Sequence, residues 1–225
     1  SPTGRRFAAR NAEAQFIVSP NPAAAQALTA DTRRLAAEAG RDPSDIQFFQ
    51  GLSFVIGSTE EEAKRKAREL DDYIDPSTII AHSAGGLGFD LGFYDLDTPI
   101  GEIKTQGTQS TLLWLREAVP DREPTVRDLA ELRSRSGRVV GTPEQIADRL
   151  EQWRDAGVDG INVINATIPD SYVDFAEHVL PVLRDRGLAK RDYEPGTARF
   201  KLSGRDRLPE SHPAARYRGA FAEVA

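Results

Sequence analysis

The sequence contains no cysteine, no methionine and only three histidines among its 225 residues. Without cysteine the chain has no disulfide, no thiolate metal ligand and no cysteine nucleophile. A chain of this length without methionine is typical of an internal segment, so we expect it to belong to a longer protein. Long hydrophobic runs are also lacking: the stretch IQFFQGLSFVIG is far shorter than the ~20 residues of a membrane span. The sequence therefore predicts a cytoplasmic protein without a membrane partner.

An excess of positive charge is absent as well. The chain has 29 Lys and Arg against 35 Asp and Glu, a net charge of −6. The arginines are interleaved with acids, so the basic stripe of a duplex-binding domain is missing. A composition of 39% hydrophobic and 28% charged residues is that of a globular domain with a sizeable core. We expect a small-molecule substrate and no nucleic-acid partner.

The three histidines form no recognisable metal or catalytic group. His82 falls in a predicted loop, His178 on a predicted helix and His212 in the tail, and none has a partner at ligand spacing. No HExxH or GxxxxGK motif is present, and the glycine-rich GGLGFDLG does not link a strand to a helix as a dinucleotide-binding motif does. The sequence predicts no metal site, and its catalytic residues stay unassigned.

What the sequence does contain is an alternation of apolar strands and amphipathic helices. Three strands are predicted, in AEAQFIV, IQFFQGLSFVIG and GINVIN. The second is apolar almost throughout, as in a strand covered on both faces, and Gly51 is compatible with a bulge. Such alternation builds a parallel sheet or barrel, so the predicted fold class is α/β. Three strands are fewer than the eight of a (β/α)8 barrel, which predicts part of a larger fold.

Capping residues mark where the helices begin. Ser58 with Glu61 and Thr142 with Gln145 have the spacing of capping boxes. The amphipathic stretch PDSYVDFAEHVLPVLRDRG predicts a helix that is kinked at Pro181, because proline lacks the amide donor of a helix interior.

Two segments interrupt the alternation. Residues 75–124 are rich in glycine and poor in periodic stretches, which predicts a loop-rich insertion inside the domain formed by residues 1–187. Residues 188–225 are rich in Arg, Pro and Gly and predict a tail that packs on the barrel or on a neighbouring subunit.

The opening Ser-Pro-Thr-Gly precedes a predicted helix, and the residues alone leave two interpretations open. Ser1 is typical of a helix N-cap. The same turn has the chemistry of an anion site, because free N–H groups, the helix dipole and a hydroxyl converge there and Gly4 permits close approach. Arg5 and Arg6 add positive charge nearby, although arginine in a first turn is more often a solvated surface residue.

Five stretches are recognisable together: SPTGRRFAARNAEAQF, GLSFVIGSTEEEA, FDLGFYDLDTPI, VGTPEQIADRLEQWRDAGVDGINV and FAEHVLPVLRDRGL. In this order they resemble the C-terminal half of the flavin-dependent monooxygenases of the bacterial-luciferase-like superfamily. The branch they resemble contains nitrilotriacetate, dibenzothiophene-sulfone and long-chain alkane monooxygenases. The resemblance implies a TIM barrel, a (β/α)8 fold, of which this chain supplies about the last three βα units, the insertion and the tail. It also implies that the chain starts at the exit of the fifth barrel strand.

The resemblance implies a cofactor site as well. In that family a turn at the position of Ser1, Pro2, Thr3 and Gly4 cradles the phosphate of reduced FMN. Asn165 follows the predicted strand GINVI at the end where TIM-barrel active sites are built, so it is a candidate cofactor-binding residue or simply the start of a turn.

The insertion falls, by the same resemblance, between the seventh and eighth barrel strands, where mobile segments cover flavin and substrate. Phe89, Phe93 and Tyr94 are candidates for an apolar substrate lining, and equally for packing the insertion onto the barrel or onto a neighbouring subunit.

The implied activity is that of a two-component monooxygenase. Reduced FMN is supplied by a separate NAD(P)H:flavin reductase through transient transfer, O2 is the co-substrate, and one oxygen atom enters a small organic substrate. A homo-oligomer is implied by analogy. The groups that hold the flavin ring come mainly from the missing half, so we expect the chain alone to be inactive. Two alternatives stay open: a non-catalytic half-barrel acting as scaffold or partner subunit, and a deazaflavin-dependent oxidoreductase.

Overall fold

The computed structural model describes residues 1–87, 91–103 and 109–220, which form an α/β fold around a parallel sheet. Its strands are β1 (Ala14–Ile17), β2 (Gln47–Ile56), β3 (Arg138–Gly141) and β4 (Gly160–Ile164). Its α-helices are α1 (Pro2–Asn11), α2 (Pro22–Glu38), α3 (Glu60–Asp71), α4 (Pro76–Leu87), α5 (Gln109–Ala118), α6 (Val126–Arg135), α7 (Pro143–Asp155), α8 (Asp170–Asp174), α9 (Leu180–Asp185) and α10 (Ala198–Ser203). None of the described helices is long and apolar enough to cross a bilayer.

The long strand β2 organises the sheet. β1 pairs with Gln47–Gln50, β3 with Ser53–Ile56 and β4 with Phe49–Ser53, and every pair is parallel. Because the strands are parallel, all their C-terminal ends lie at one edge of the sheet, which we call the top. The N-terminal ends lie at the opposite edge, which we call the foot.

One face of the sheet is covered by helices. Successive side chains of a strand point to opposite faces, and the even-numbered side chains of β2 are buried against the helix layer. Phe54 contacts Phe175 with ring centroids 4.8 Å apart. The same core contains Ile17, Ala36, Phe48, Leu52, Ile56, Ile146, Trp153, Val179 and Leu183. Burial of each large side chain contributes about 1.5–3 kcal/mol, so this face holds the sheet and helices together.

The other face of the sheet is open. A Cβ atom placed on Gly51 would lie 2.8 Å from Phe16 Cζ and 2.9 Å from Ile164 Cδ1, so both side chains sit over this glycine. Phe16 is nevertheless 55% exposed and Ile164 44% exposed. We call the surface formed by Phe16, Gly51 and Ile164 the open face. The described residues leave it accessible to solvent.

The predicted loop-rich insertion contains two helices, α4 and α5, so that part of the prediction is wrong. Together with α6 they enclose a second apolar cluster of Ile80, Ile100, Ile103, Leu115, Val126, Leu129 and Ala130. α4 continues through Gly85 and Gly86 to Leu87. Two glycines cost a helix about 1 kcal/mol each, less than the burial of Ile80 and its neighbours provides. His82 consequently lies on α4 and not in a loop.

Two strand predictions also need correction. The sequence prediction lacks β3, whose four residues are too short to show a period. Gly51 is not a bulge, because the register of β2 with β4 runs without interruption from Gln50↔Ile161 through Gly51↔Asn162 to Leu52↔Val163. Its lack of a side chain instead makes room for Phe16 and Ile164.

Helix starts agree with the sequence at α7 and differ by one residue at α3. Thr142 and Gln145 form the predicted capping box. At α3 the cap is Thr59, which accepts from the amide of Glu62 at 3.1 Å, and Glu62 bonds back to the amide of Ser58 at 2.8 Å. The hydrogen bonds from Ser58 lower the pKa of Glu62 to about 2. The predicted Ser58–Glu61 capping box is therefore not formed: the cap lies one residue later, and Glu62 accepts from the amide that precedes the cap.

The last long helix is interrupted before Pro181. α8 and α9 are joined by a π turn, Phe175–Val179, instead of a plain α-helical kink. Pro181 donates no amide hydrogen bond, so the regular ladder is broken in this region and the wider turn accommodates it.

Candidate functional site

The N-terminus of α1 forms an exposed turn with unused donors. Ser1 Oγ accepts from the amide of Gly4 at 3.2 Å, and the carbonyl of Ser1 accepts from the amide of Arg5 at 3.0 Å. Ser1 is therefore the N-cap of α1, as the sequence predicts. Within the described part of the chain, the amide and hydroxyl of Thr3 find no acceptor. The turn keeps free donors for an incoming group.

The charged side chains near this turn are arginines, and the nearby carboxylate of Asp31 is paired with them. Arg5 donates to Asp31 at 2.8 Å, so its charge is engaged. The hydrogen bonds from Arg5 and Arg34 hold the pKa of Asp31 below its ordinary value. Arg6 is exposed, and the first turn of α1 contains no acidic residue. Nothing in the turn repels an anion, and the helix dipole attracts one.

Chain direction places this turn at the top of the sheet. α1 ends at Asn11, three residues before β1 begins at the foot. A helix of ten residues is about 15 Å long, so its N-terminus points back towards the C-terminal ends of the strands. Ser1 therefore lies at the end of the sheet where sites of such folds are built.

A buried glutamine fixes the turn that follows β1 at the same end. Gln50 is fully buried, accepts from the amide of Ser19 at 3.0 Å and donates to the carbonyl of Gly51 at 3.0 Å. The sequence reasoning missed this residue, whose only signal is an amide inside an otherwise apolar strand. It holds the chain in position as it leaves β1 for α2.

Asn165 lies directly after β4, as predicted. Its Oδ1 accepts from the hydroxyl of Tyr172 at 3.3 Å, and the following amides of Ala166 and Thr167 each donate to Ser171 Oγ at 3.0 Å. Asn165 thus begins a hydrogen-bonded turn into α8, and its amide nitrogen is left for another acceptor. No hydrogen bond among the described residues connects Asn165 with Ser1.

Four large side chains at the end of β4 and in the segment after it are substantially exposed: Ile164, Ile168, Tyr172 and Val173. Sequence reasoning did not select these residues. The available signal in the sequence was the recurrence of apolar side chains at the end of β4, in the turn after it and in α8.

Two of the aromatic candidates of the insertion lie in and after a short turn that follows α4. Phe93 belongs to the 3-10 turn Leu91–Phe93, which packs against α4, and it is 87% exposed. Tyr94 follows and is 37% exposed. Phe89 lies outside the described residues. Phe93 is thus available for contact, and no described contact assigns it a role.

The histidines are separated in the structure. His82 is exposed on α4, His178 is exposed in the π turn and His212 is buried in the tail. Among the described residues no three His, Asp or Glu side chains are placed to hold a metal ion.

The residues at the start of α1 fit a phosphate group. The turn is exposed, Ser1 and Thr3 carry hydroxyls, the amide of Thr3 is free, and no carboxylate competes. A Cβ on Gly4 would come within 3.3 Å of Ser1 Oγ, so glycine keeps this cap compact. These donors suit an oxyanion better than a neutral ligand.

The chain is similar to several known proteins. The sequence model of the family described as luciferase-like monooxygenase matches residues 1–160. Dimethyl-sulfide monooxygenase of Hyphomicrobium sulfonivorans is 37% identical over 224 residues, which cover 97% of this chain and 47% of that protein. Long-chain alkane monooxygenase of Geobacillus thermodenitrificans (strain NG80-2) is 34% identical over 228 residues, covering 100% and 48%.

Solved structures agree. DmoA from Hyphomicrobium sulfonivorans aligns with a TM-score of 0.83 at 36% identity, covering 98% of this chain and 48% of that one. A riboflavin lyase solved with modified FMN and its substrate riboflavin aligns with a TM-score of 0.81 at 35% identity. The alignment covers 96% of this chain and 49% of that one. The chain therefore spans about half the length of the relatives it matches.

Proposed function

Because this chain belongs to the luciferase-like monooxygenase family, we propose that it is part of a (β/α)8 barrel enzyme that uses reduced FMN and O2 to oxygenate a small organic substrate. The chain contributes about the last three βα units, and the open face of its sheet is turned towards the rest of the barrel. The exposure of Phe16 and Ile164 supports this arrangement, because side chains of this size are normally buried in a complete barrel.

The observation that carries the proposal is the N-terminus of α1. Ser1, Thr3 and Gly4, at the start of the helix that begins with Pro2, would hold the FMN phosphate with hydroxyl and amide donors at the positive end of the dipole. When bound, the flavin supplies the reducing electrons and the reaction with O2. The protein residues bind its phosphate and orient it at the top of the sheet.

Other residues of the chain shield and complete the site. Ile164, Ile168 and Tyr172 offer an apolar surface that excludes water, which protects oxygen chemistry from unproductive hydrolysis. The free amide nitrogen of Asn165 is placed to donate to a cofactor or substrate acceptor. Phe89, Phe93 and Tyr94 would line the substrate side of a cover formed by the insertion.

We further propose a separate NAD(P)H:flavin reductase as the partner. The phosphate-holding turn is fully exposed, which suits a flavin that is exchanged between proteins and not retained. Assembly as a homo-oligomer in the cytoplasm completes the proposal. The substrate is a small organic molecule, and the relatives that oxidise a sulfide or an alkane give the chemical range in which to search.

The proposal is tested by comparing FMN with riboflavin, which lacks the phosphate. Fluorescence titration of the chain should show FMN binding about tenfold more tightly than riboflavin, and Ser1→Ala should reduce this preference about fivefold by removing one donor and the cap. Thr59→Ala removes the N-cap of a different helix and should leave the ratio unchanged. Equal binding of the two flavins by the unaltered chain would show that α1 is only a capped helix, in favour of the non-catalytic scaffold.

A further inference from the structure

A cavity lies at the foot of the sheet, where the C-terminal tail folds back on the chain. It has a volume of about 340 Å³, and we call it the foot cavity. Its lining includes Arg41, Asp45, Gln47, Arg199, Arg205 and Arg207. It lies at the N-terminal ends of the strands, opposite to Ser1 and Asn165. A ligand in it is therefore separate from the proposed flavin site.

The tail closes this cavity through specific contacts. Arg205 pairs with Asp45 at 2.5 Å, and Arg199 pairs with Glu13. His212 is buried and its Nε2 lies 3.0 Å from the carbonyl of Asn11 at the end of α1. Because Nδ1 of His212 accepts from the amide of Ala214, Nε2 carries the proton and donates. The outer wall of the cavity is thus anchored to the end of α1 and to the segments that lead into β1 and β2.

Two buried polar atoms in the wall have no partner. Arg41 is 4% exposed, and its Nη1 and Nη2 each donate at 2.9 Å to carbonyls of Ala9 and Ala12. Its Nε–H has no acceptor among the described residues. The side chain of Asp45 is 9% exposed, and its Oδ2 has no donor. A buried donor and a buried acceptor without partners each destabilise the folded chain, so a molecule that satisfies both is stabilised here.

The charges of the wall do not balance. Asp45 and Glu13 are each paired with an arginine of the tail, which leaves Arg41 without a carboxylate of its own. Burial lowers the pKa of Arg41, which indicates that its charge is poorly solvated. Arg207 also lines the cavity and has no ion pair in the part of the chain that the structure describes. The cavity therefore has a surplus of positive charge and favours an anion.

We propose that the foot cavity binds a small oxyanion that retains an O–H group, such as hydrogenphosphate or a compact hydroxycarboxylate. Its anionic oxygens accept from Arg41 Nε and from Arg207, and its O–H donates to Asp45 Oδ2. The ligand contacts both the sheet and the tail, so it holds the tail against the foot. Its distance from the top of the sheet makes it a structural or regulatory ligand and not a substrate.

Inorganic phosphate and sulfate distinguish this chemistry at neutral pH, because phosphate keeps an O–H and sulfate does not. Calorimetric titration of the chain should show phosphate binding at least about tenfold more tightly than sulfate, since an acceptor such as Asp45 Oδ2 discriminates against a ligand without a donor. Phosphate should also slow hydrogen exchange of the tail amides between residues 198 and 217.

Two variants locate the binding. Asp45→Asn keeps the acceptor for Arg205 but replaces the unpaired oxygen by a donor, so the preference for phosphate over sulfate should fall to about one. Arg207→Gln should weaken both anions about fivefold, as expected for an exposed charge. Arg68→Gln removes an exposed arginine on α3 that has no ion pair in the described residues and should change neither affinity.

The proposal is overturned if phosphate gives no saturable heat up to about 50 mM, or if sulfate binds equally well to the unaltered chain. It is also overturned if Asp45→Asn, folded by circular dichroism, keeps the original preference. Phosphate bound at α1 instead would respond to Ser1→Ala and ignore Arg207→Gln, so the two sites are told apart.

Discussion

At the residue scale, Gly51 in β2 and Gly57 just after it show how the neighbouring atoms determine the loss of stability when a glycine gains a side chain. A Cβ on Gly51 would contact the far ends of Phe16 and Ile164, which are half exposed and free to move. A Cβ on Gly57 would instead meet the backbone, 2.8 Å from the carbonyl of Thr59 and close to the amide of Ala63. Backbone atoms at a helix start have little freedom to shift.

We therefore expect Gly57→Ala to cost about 3 kcal/mol of unfolding free energy and Gly51→Ala about 1 kcal/mol or less. Urea unfolding followed by circular dichroism measures both. Equal costs for the two variants would mean that the open face is packed as tightly as the start of α3, which would contradict its description as uncovered.

At the element scale, capping determines where α6, the helix that follows the insertion, begins. Thr125 and Asp128 form a capping box at α6, and Arg122 donates to both oxygens of Asp128 at 2.6 Å. These bonds, led by that of Arg122, lower the pKa of Asp128 to about 2. The folded state therefore binds a proton less readily than the unfolded chain, and the stabilisation is present only while the carboxyl is ionised.

Asp128→Asn should lower the unfolding free energy by about 1 kcal/mol at neutral pH. Because the folded pKa lies below the ordinary value, the gap between the variant and the unaltered chain should stay constant down to about pH 4 and close as the pH falls towards 2. Urea unfolding at a series of pH values measures it. Asp97→Asn, which breaks an exposed pair with Arg127, is the control and should change little. If the difference in unfolding free energy disappeared near neutral pH instead, a group other than Asp128 would be responsible for the pH dependence.

Elements with strong local signals were predictable from the sequence, and those that depend on distant contacts were not. Thr142 and Gln145 form their predicted box because the bonds are within one turn. β3 and the continuation of α4 through Gly85 depend on packing against β2 and α6, which no local pattern reports. The same holds for the candidate site. Ser1 was predictable as a cap from its neighbours in sequence, whereas the contact of Phe16 and Ile164 over Gly51 depends on how the strands pair and could not be predicted.

At the scale of the whole molecule, the family resemblance seen in five sequence stretches is confirmed by the family match and by relatives at 37% and 34% identity. The chain nevertheless spans about half of each relative. The sheet has one open face. We propose that the turn at its top anchors the cofactor phosphate and that the groups that surround the flavin ring lie on the remainder of the barrel.

We accordingly expect the 225-residue chain alone to be inactive. In a mixture with FMN, NADH and a flavin reductase, addition of the chain should produce no oxygenated product from a dialkyl sulfide above the level of the reductase alone. Mass spectrometry of the product under labelled O2 measures this with high sensitivity. Labelled product that increases with the amount of chain would show that the described half already contains the catalytic groups.

We propose that the turn at Ser1–Gly4 holds the FMN phosphate, and titration of the 15N-labelled chain with FMN, followed by amide chemical shifts, reports on each of these residues. We expect the largest shifts at the amides of Thr3, Gly4 and Arg5, and we expect riboflavin at the same concentration to leave these amides unmoved. Shifts confined to the tail around Arg207, or equal shifts at α1 with both flavins, would contradict it.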